Sequence, residues 1–380
     1  MNLKRTLNVA MIGGGFMGRA HSNAWLKVNR FFDAPFQINL KVVAGEISAP
    51  LEDFAKNWGF DEVSYDWEAT VNRDDIDIVD IVTPTFMHAP MAIKAAKAGK
   101  HVLCEKPCAL SYQECVEMAR AAKEAGVVTY LNHNYRRVPA VAYAKRLVEE
   151  GRLGEILSWH GQYFQDWLLK PDMPRGWQMQ SKRAGGGALF DLGSHAVDLA
   201  RFLVGEPKSV TSLHRTFIEE RPLPGSGLPA PVDVDDAAYM LLEFAGKTFG
   251  SIEVSRFACG LKNANSFAVY GTKGALRFQF QRMNELEFLD FTQPKAEQGY
   301  RTILCTEEDH PYLKAWWPSG HIIGFEHTFV NAFNDVLCAI AEGQKMTPDF
   351  EDGAAILRVL EASQKSAREN RRVFVEEIGG

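Results

Sequence analysis

No apolar run in this chain approaches the roughly 20 residues that a membrane-spanning helix needs, which excludes a helical span among these residues. Cysteine is scarce: six in 380 residues, at positions 104, 108, 115, 259, 305 and 338, with no C-x-x-C pair. That scarcity excludes a disulfide-stapled scaffold, and Cys104 with Cys108 has no second pair to complete a zinc site. The thiols are expected to be reduced and mostly buried, and no metal is expected. An excess of one charge is missing too. The net charge of −6, with Lys and Arg scattered rather than blocked, points away from nucleic acid and from an anionic membrane as partners. The start, "MNLKRTLNVAMIGGG", runs from a basic pair straight into a strand pattern and lacks a signal-peptide core. The protein is therefore expected in the cytoplasm. Internal repeats and low-complexity tracts are absent as well.

What is present is chain enough for two cores, since a single one rarely grows past about 250–300 residues. Residues 1–131 alternate strand and helix patterns. "TLNVAMI" leads into "GGGFMG" and a helix through Val28, and "INLKVVAGE" precedes the helical "APLEDFAKNWG". "DIVDIVTP" and "HVLCEKP" are strands stopped by Pro84 and Pro107, and "VVTYLNHNYRR" closes the series as its last strand. Ser111 and Glu114 form a capping box for the helix between them. Such alternation implies a parallel sheet with right-handed crossovers. Residues 132–380 read as a helix followed by long strands, several joined by turns such as "AGKTFG" and "YGTKG". That is the pattern of antiparallel hairpins. "RPLPGSGLPAPVDVDD" (221–236) reads as a surface loop, and helices at about 321–342 and 351–370 end the chain.

Gly13, Gly15 and Gly18 fit G-x-G-x-x-G directly after a strand and before a helix. Glycines at this spacing permit a tight turn and close approach of backbone to a pyrophosphate, whose charge then meets the helix N-terminus. In this context the motif predicts a dinucleotide site. Glu46, just past the second strand in "VVAGEIS", is suited to accept from a ribose 2′-hydroxyl and to repel a 2′-phosphate, and no Arg follows it. NAD is therefore expected over NADP. The expected fold is α/β: an N-terminal Rossmann domain over 1–131 and a C-terminal α+β domain over 132–380 with a large, mostly antiparallel open sheet.

Two further stretches carry chemistry. "CEKP" (104–107) ends a parallel strand, the edge at which open α/β sheets bind ligands, so Lys106 is expected to point into the nucleotide crevice. "LFDLGSHAVDL" (189–199) puts Asp191, His195 and Asp198 on one stripe of an otherwise apolar helix. An imidazole titrating near 6.5 suits general-base work on a hydroxyl, and a lysine beside the same oxygen stabilises its developing charge. Asp198 reads either as a partner for the other imidazole nitrogen or as a surface acid.

With the glycine loop, "EKP", "NYRR", "GGGALFDLGSHAVD" and "DGAAILRVLEASQKSARENRRVFV" in this order, the chain resembles the Gfo/Idh/MocA oxidoreductase family over essentially its whole length. The resemblance implies that Lys106, Asp191 and His195 surround the nicotinamide and the substrate hydroxyl as the catalytic set. It implies cofactor contacts from Gly13, Gly15, Phe16, Met17, Gly18, Glu46, Thr83, Pro84, His88, Glu105 and Lys106, without a metal. It also implies a homo-oligomer, dimer or tetramer, formed through the open sheet face. "QDWL" and "WWPSGHIIGFEHTF" look most like the pyranoside-dehydrogenase branch, whose members oxidise C3 of the sugar. By that likeness Tyr135, Gln165, Trp167, Trp177 and His327 join Lys106, Asp191 and His195 in the substrate pocket, although His327 equally suits a helix cap or an interface. Tyr163, Gln165 and Trp167 alternate along a strand pattern and so share one face. Aromatic faces beside polar groups suit a pyranose or a cyclic polyol. Three functions are open to such a chain. It is an NAD-dependent sugar or polyol dehydrogenase, a redox-neutral NAD-dependent glycosidase working through transient C3 oxidation and elimination, or a non-catalytic NAD-binding regulator. The presence of both Lys106 and His195 speaks against the regulator.

Overall fold

The structure, a computed structural model, describes residues 4–46 and 50–379. The chain divides into two compact units, the first comprising Met1–Arg137 with Gly324–Ala355 and the second Val138–Ile323 with Ile356–Gly380.

The first unit is built on six parallel strands: β1 (Thr6–Ile12), β2 (Gln37–Ala44), β3 (Glu62–Ser64), β4 (Ile78–Ile81), β5 (His101–Cys104) and β6 (Thr129–Leu131). Their order is β3-β2-β1-β4-β5-β6. The order reverses between β1 and β4, and open α/β sheets bind ligands at such a switch point. Helices α1 (Phe16–Phe31), α2 (Leu51–Trp58), α3 (Trp67–Val71), α4 (His88–Lys97) and α5 (Tyr112–Ala125) connect the strands. Strands covered on both faces are apolar throughout, and β4 is fully buried yet carries Asp80. Ser111 caps α5 by accepting the amide of Glu114 at 3.2 Å, while the Glu114 carboxylate accepts from Leu110 N–H at 2.9 Å rather than from Ser111.

The second unit begins with α6 (Pro139–Glu149), β7 (Ile156–Phe164) and α7 (Ser181–Ala184). The stripe residues follow, and they do not lie on one uniform α-helix. Leu189–Gly193 is a π-helix that runs into α8 (Ser194–Leu203). Then come β8 (Ser209–Arg215), β9 (Glu220–Pro222), β10 (Pro229–Pro231), β11 (Ala237–Glu243), β12 (Phe249–Ser255), β13 (Ala264–Gly271), β14 (Gly274–Gln279), β15 (Glu285–Asp290) and β16 (Arg301–Leu304). Segment 221–236 is not simply a surface loop, because β9 and β10 pair as an antiparallel ribbon and the segment ends in buried Asp235 and Asp236.

Helices α9 (Phe325–Glu342) and α10 (Phe350–Glu369) and the short β17 (Val373–Phe374) end the chain. The large sheet has the order β16-β15-β14-β13-β7-β12-β11-β8-β17. Only β7 and β12 run parallel in it. Along β11, Ala238, Met240 and Leu242 are buried while Tyr239, Leu241 and Glu243 are exposed, so one face of the sheet is covered and the other open.

Helix α9 packs in the first unit, where Phe333 meets Trp25 of α1 with ring centroids 4.3 Å apart. This explains why β6 stops at Leu131 instead of running to Arg137. Residues Asn134–Arg137 form a buried 3₁₀ turn that reaches α9, with Asn134 donating to Thr328 Oγ1 at 2.8 Å and Arg137 to Asp335 Oδ2 at 3.1 Å. Among the described residues no helix is long and apolar enough to cross a membrane.

Candidate active site

In the first unit the three glycines divide their labour. Gly13 has φ 116°, and a Cβ there would lie 2.8 Å from Val82 O. A Cβ on Gly18 would meet Gly13 O at 2.7 Å. Those two positions are closed by the protein's own backbone. Gly15 is different: nothing lies within 4 Å of its Cβ position. It is the N-cap of α1, and the first turn beyond it, starting with exposed Phe16 and half-buried Met17, has no side-chain cap and no acidic residue. N–H groups without an intrahelical partner and the helix dipole suit that end to an anion. A cavity of about 540 Å³ lies beside it, lined by Gly14, Arg19, Leu51, Phe54 and Trp58 among others. Glu46 is exposed two residues beyond β2, and the Ile47 and Ser48 of its motif lie outside the described residues.

The C-terminal ends of β4 and β5 sit beside each other in the sheet. Thr83 and Pro84 follow β4 and are half-buried. The ring of His88 ties their loop to the next one, with Nε2 2.8 Å from Thr83 O and Nδ1 2.9 Å from Pro107 O. Burial pulls the pKa of His88 below its usual value, against the pull of those carbonyls. Lys106 is half-buried and precedes a cis peptide bond to Pro107. The Glu105 carboxylate is turned into the protein: Oε2 accepts the Lys106 amide at 3.0 Å, and Oε1 accepts from Asn132 Nδ2 at 2.5 Å and His21 Nε2 at 3.0 Å. Two residues of the expected substrate pocket also belong to this unit. Tyr135 is buried in the 3₁₀ turn, and His327 accepts the Gly324 amide on Nδ1 at 3.1 Å, the geometry of a cap on α9. Burial lowers the pKa of His327.

In the second unit the segment bearing Asp191 and His195 is anchored by an aspartate from a distant part of the chain. Asp235 accepts the amides of Gly187 at 2.9 Å and Leu189 at 2.7 Å on its carboxylate, and its carbonyl accepts Ala188 N–H at 2.9 Å. A Cβ on Gly187 would fall 1.7 Å from Asp235 O, so only glycine fits there. The π-helix follows directly, and such turns recur at functional sites. Asp191 is half-buried, His195 is buried, and Asp198 is 1% exposed and therefore no surface acid.

The His195 ring lies 5.8 Å from that of Tyr163. From Tyr163 a polar chain spreads: its hydroxyl donates to Asn263 Oδ1 at 2.6 Å, Gln165 Nε2 donates to the same oxygen at 2.9 Å, and Trp167 Nε1 donates to Gln165 Oε1 at 2.9 Å. Gln165 and Trp167 lie beyond the end of β7, yet the three residues come together as the alternation predicts. The Arg256 guanidinium sits 5.7 Å from the Trp167 ring centroid. Trp177 is half-buried in a separate 3₁₀ turn, whose Met179 packs with Leu168 and Trp167.

Sequence reasoning missed Asn263, Asp235 and His21. Asn263 lies between two strands with no motif around it, and Asp235 falls in a stretch whose Pro and Gly suggest a loop. His21 did carry a signal, since it stands on the buried side of the helix that follows the glycine loop.

Comparison with known proteins places the chain in a family. Residues 7–133 match the oxidoreductase family with an NAD-binding Rossmann fold, and residues 141–277 match the GFO/IDH/MocA C-terminal domain. The chain is 39% identical to levoglucosan dehydrogenase of Pseudarthrobacter phenanthrenivorans over 98% of its own length and 99% of that protein's. A solved levoglucosan dehydrogenase in complex with NADH and L-sorbose superposes with a TM-score of 0.95 at 40% identity, covering 98% of this chain and 99% of that one. The chain is also 30% identical to 2,7-anhydro-N-acetylneuraminate hydratase of Escherichia coli, over 82% of this chain and 84% of that protein. Two family domains in order and near-complete alignment lead to one conclusion: the chain belongs to the Gfo/Idh/MocA family of NAD-binding oxidoreductases, enzymes that act on CH–OH groups.

Proposed function

We propose that this protein is an NAD-dependent dehydrogenase that oxidises a secondary hydroxyl, at C3, of a pyranose, pyranoside or cyclic polyol. NAD, when bound, accepts the hydride that leaves the carbon. The open N-terminus of α1 holds its pyrophosphate, and Glu46 takes the ribose hydroxyls and disfavours NADP. His195 removes the hydroxyl proton, Lys106 donates a hydrogen bond to the same oxygen as negative charge develops on it, and Asp191 holds the hydroxyl in place. The observation that carries this reading is the wall beside His195, where Tyr163, Gln165, Asn263 and Trp167 join aromatic faces to a chain of amides. Such a wall matches the C–H faces and hydroxyl rim of a sugar. The likeness to levoglucosan dehydrogenase supports the same substrate class. The test is a panel of levoglucosan, inositols, glucose and glucosides read by NADH absorbance. We expect NADH equal to the ketone formed on at least one of them; no NADH with any would contradict the reading.

The likeness to a hydratase favours a second reading on the same residues. Transient oxidation at C3 would acidify the C2 proton and let the group at C1 leave by elimination; water would then add to the double bond, and the hydride first taken by the bound cofactor would be restored to C3. Release of that group without net NADH would establish this reading, whereas NADH matching ketone would exclude it.

The open face of the large sheet exposes Leu213, Tyr239, Leu241 and Phe249. We assign to it a homo-oligomer, dimer or tetramer, of a cytoplasmic enzyme. Light scattering that shows a monomer would overturn the assignment.

A further inference from the structure

Among the buried groups that the reaction steps above do not use is a histidine in the first unit. His21 of α1 is 0% exposed, and each of its ring nitrogens faces a carboxylate. Nδ1 lies 2.9 and 3.1 Å from the oxygens of Asp80, and Nε2 lies 3.0 Å from Glu105 Oε1. An ionised carboxylate accepts but does not donate, so the ring satisfies both partners only when both nitrogens carry a proton. Burial opposes that charge, but the charges and hydrogen bonds of Asp80 and Glu105 outweigh it and hold the pKa up at about 10. Burial likewise pushes Glu105 up, and its bonds to His21 and Asn132 bring it below the usual range. The other groups around the ring are accounted for by element. Trp25 of α1 donates to Asp80 Oδ2 at 2.8 Å, and Asn132 beyond β6 donates from Nδ2 to Glu105 Oε1 at 2.5 Å while the same nitrogen lies 3.0 Å from His21 Nε2. Helix α9 presents the rings of Phe329 and Phe333, at 5.5 and 5.2 Å, and the positive charge of Lys106 acts on Glu105 from beyond it.

The line therefore reads carboxylate, imidazolium, carboxylate, and it ends on the Lys106 amide, which Glu105 Oε2 accepts at 3.0 Å. We propose that His21 is a positioning residue: its imidazolium clamps Glu105 to Asp80, so that Glu105 fixes the backbone of Lys106. This rests on the reading of Lys106 as the group that meets the substrate hydroxyl. A neutral ring would turn a lone pair towards one carboxylate and release one end of the clamp.

The test uses the full-length enzyme with NAD and its best sugar. His21→Gln offers one amide donor group where the ring offers two N–H bonds in line. We expect kcat to fall about 10- to 100-fold, with KM for the sugar and NADH binding little changed. Trp25→Phe removes one donor from Asp80 but keeps both ring nitrogens of His21 on their carboxylates, and should lower the melting temperature while kcat stays. Nitrogen-15 NMR of labelled histidine in the wild-type protein should show both His21 nitrogens protonated at a pH of about 8, well above an ordinary imidazole pKa. A wild-type kcat in His21→Gln, equal loss of kcat in both variants, or a singly protonated ring would each overturn the proposal. If His21→Gln does not fold, the ring's protonation decides alone. That NMR readout needs no turnover, so it stands apart from the reading of Lys106, which fails if Lys106→Ala retains activity.

Discussion

Two helical segments carry expected site residues, one in each unit, and they begin in opposite ways. The N-terminus of α1 is uncapped: Gly15 has nothing within 4 Å of its Cβ position, and no acid or side-chain cap occupies the first turn. The segment bearing Asp191 and His195 starts against the Asp235 carboxylate, which takes the amides of Gly187 and Leu189, while the Asp235 carbonyl takes that of Ala188. The same unsatisfied amides thus serve two purposes. Where the end carries no acid it suits a ligand's negative charge. Where it is filled by the protein's own acid, the helix is locked and its side chains become fixed tools.

That comparison is most forcefully broken by emptying the filled end. Asp235→Ala leaves buried amides without acceptors, at about 1–3 kcal/mol each, so a stability loss of about 2–4 kcal/mol is expected by denaturant titration. With the segment loosened, kcat should fall about 10- to 100-fold while NADH affinity holds. Unchanged kcat would show that the anchor has no bearing on the site.

The reverse change fills the open end. Gly15→Asp places a carboxylate where the pyrophosphate is proposed to sit, and NADH Kd should rise about 100-fold with little loss of stability. Equal affinity in a fluorescence titration would mean that the dinucleotide does not use this terminus.

A third change compares a buried cation with these buried anions. The folded pKa of His21, raised to about 10 from an ordinary 6.5, contributes stability that is complete below about 6.5 and is lost as the pH rises through 10. Denaturation midpoints should therefore fall over that alkaline window in the wild type and change less in His21→Gln. The smallest effect is expected at the rim of the open site. Glu46→Ala should lower the preference for NAD over NADP by about tenfold or less, read as the ratio of kcat/KM for the two cofactors.

The open end was legible in the sequence and the filled one was not, for a physical reason. Gly13, Gly15 and Gly18 are neighbours whose roles follow from local spacing, and the strand–loop–helix pattern around them names the ligand chemistry. Asp191 and His195 were also visible, but as a uniform α-helical stripe. The π-turn and its anchor depend on Asp235, more than 40 residues away, in a segment whose prolines and glycines hid a buried acid. The strand after α5 was drawn too long for the same reason. The side chains of Asn134 and Arg137 find their partners on α9, nearly 200 residues later, and no periodicity announces that. The wall of Gln165 and Trp167 was anticipated from alternation, while Asn263, which joins Gln165 to Tyr163, had no pattern to reveal it.

The proposed function is tested most directly through Lys106 and His195, the two groups it assigns to the substrate hydroxyl. The measurement is the rate of NADH formation from the best sugar by Lys106→Ala and His195→Ala, each checked for NADH binding and melting temperature. Both variants should fold and bind NADH while kcat falls about 1,000-fold or more. Full turnover in either one would contradict the account.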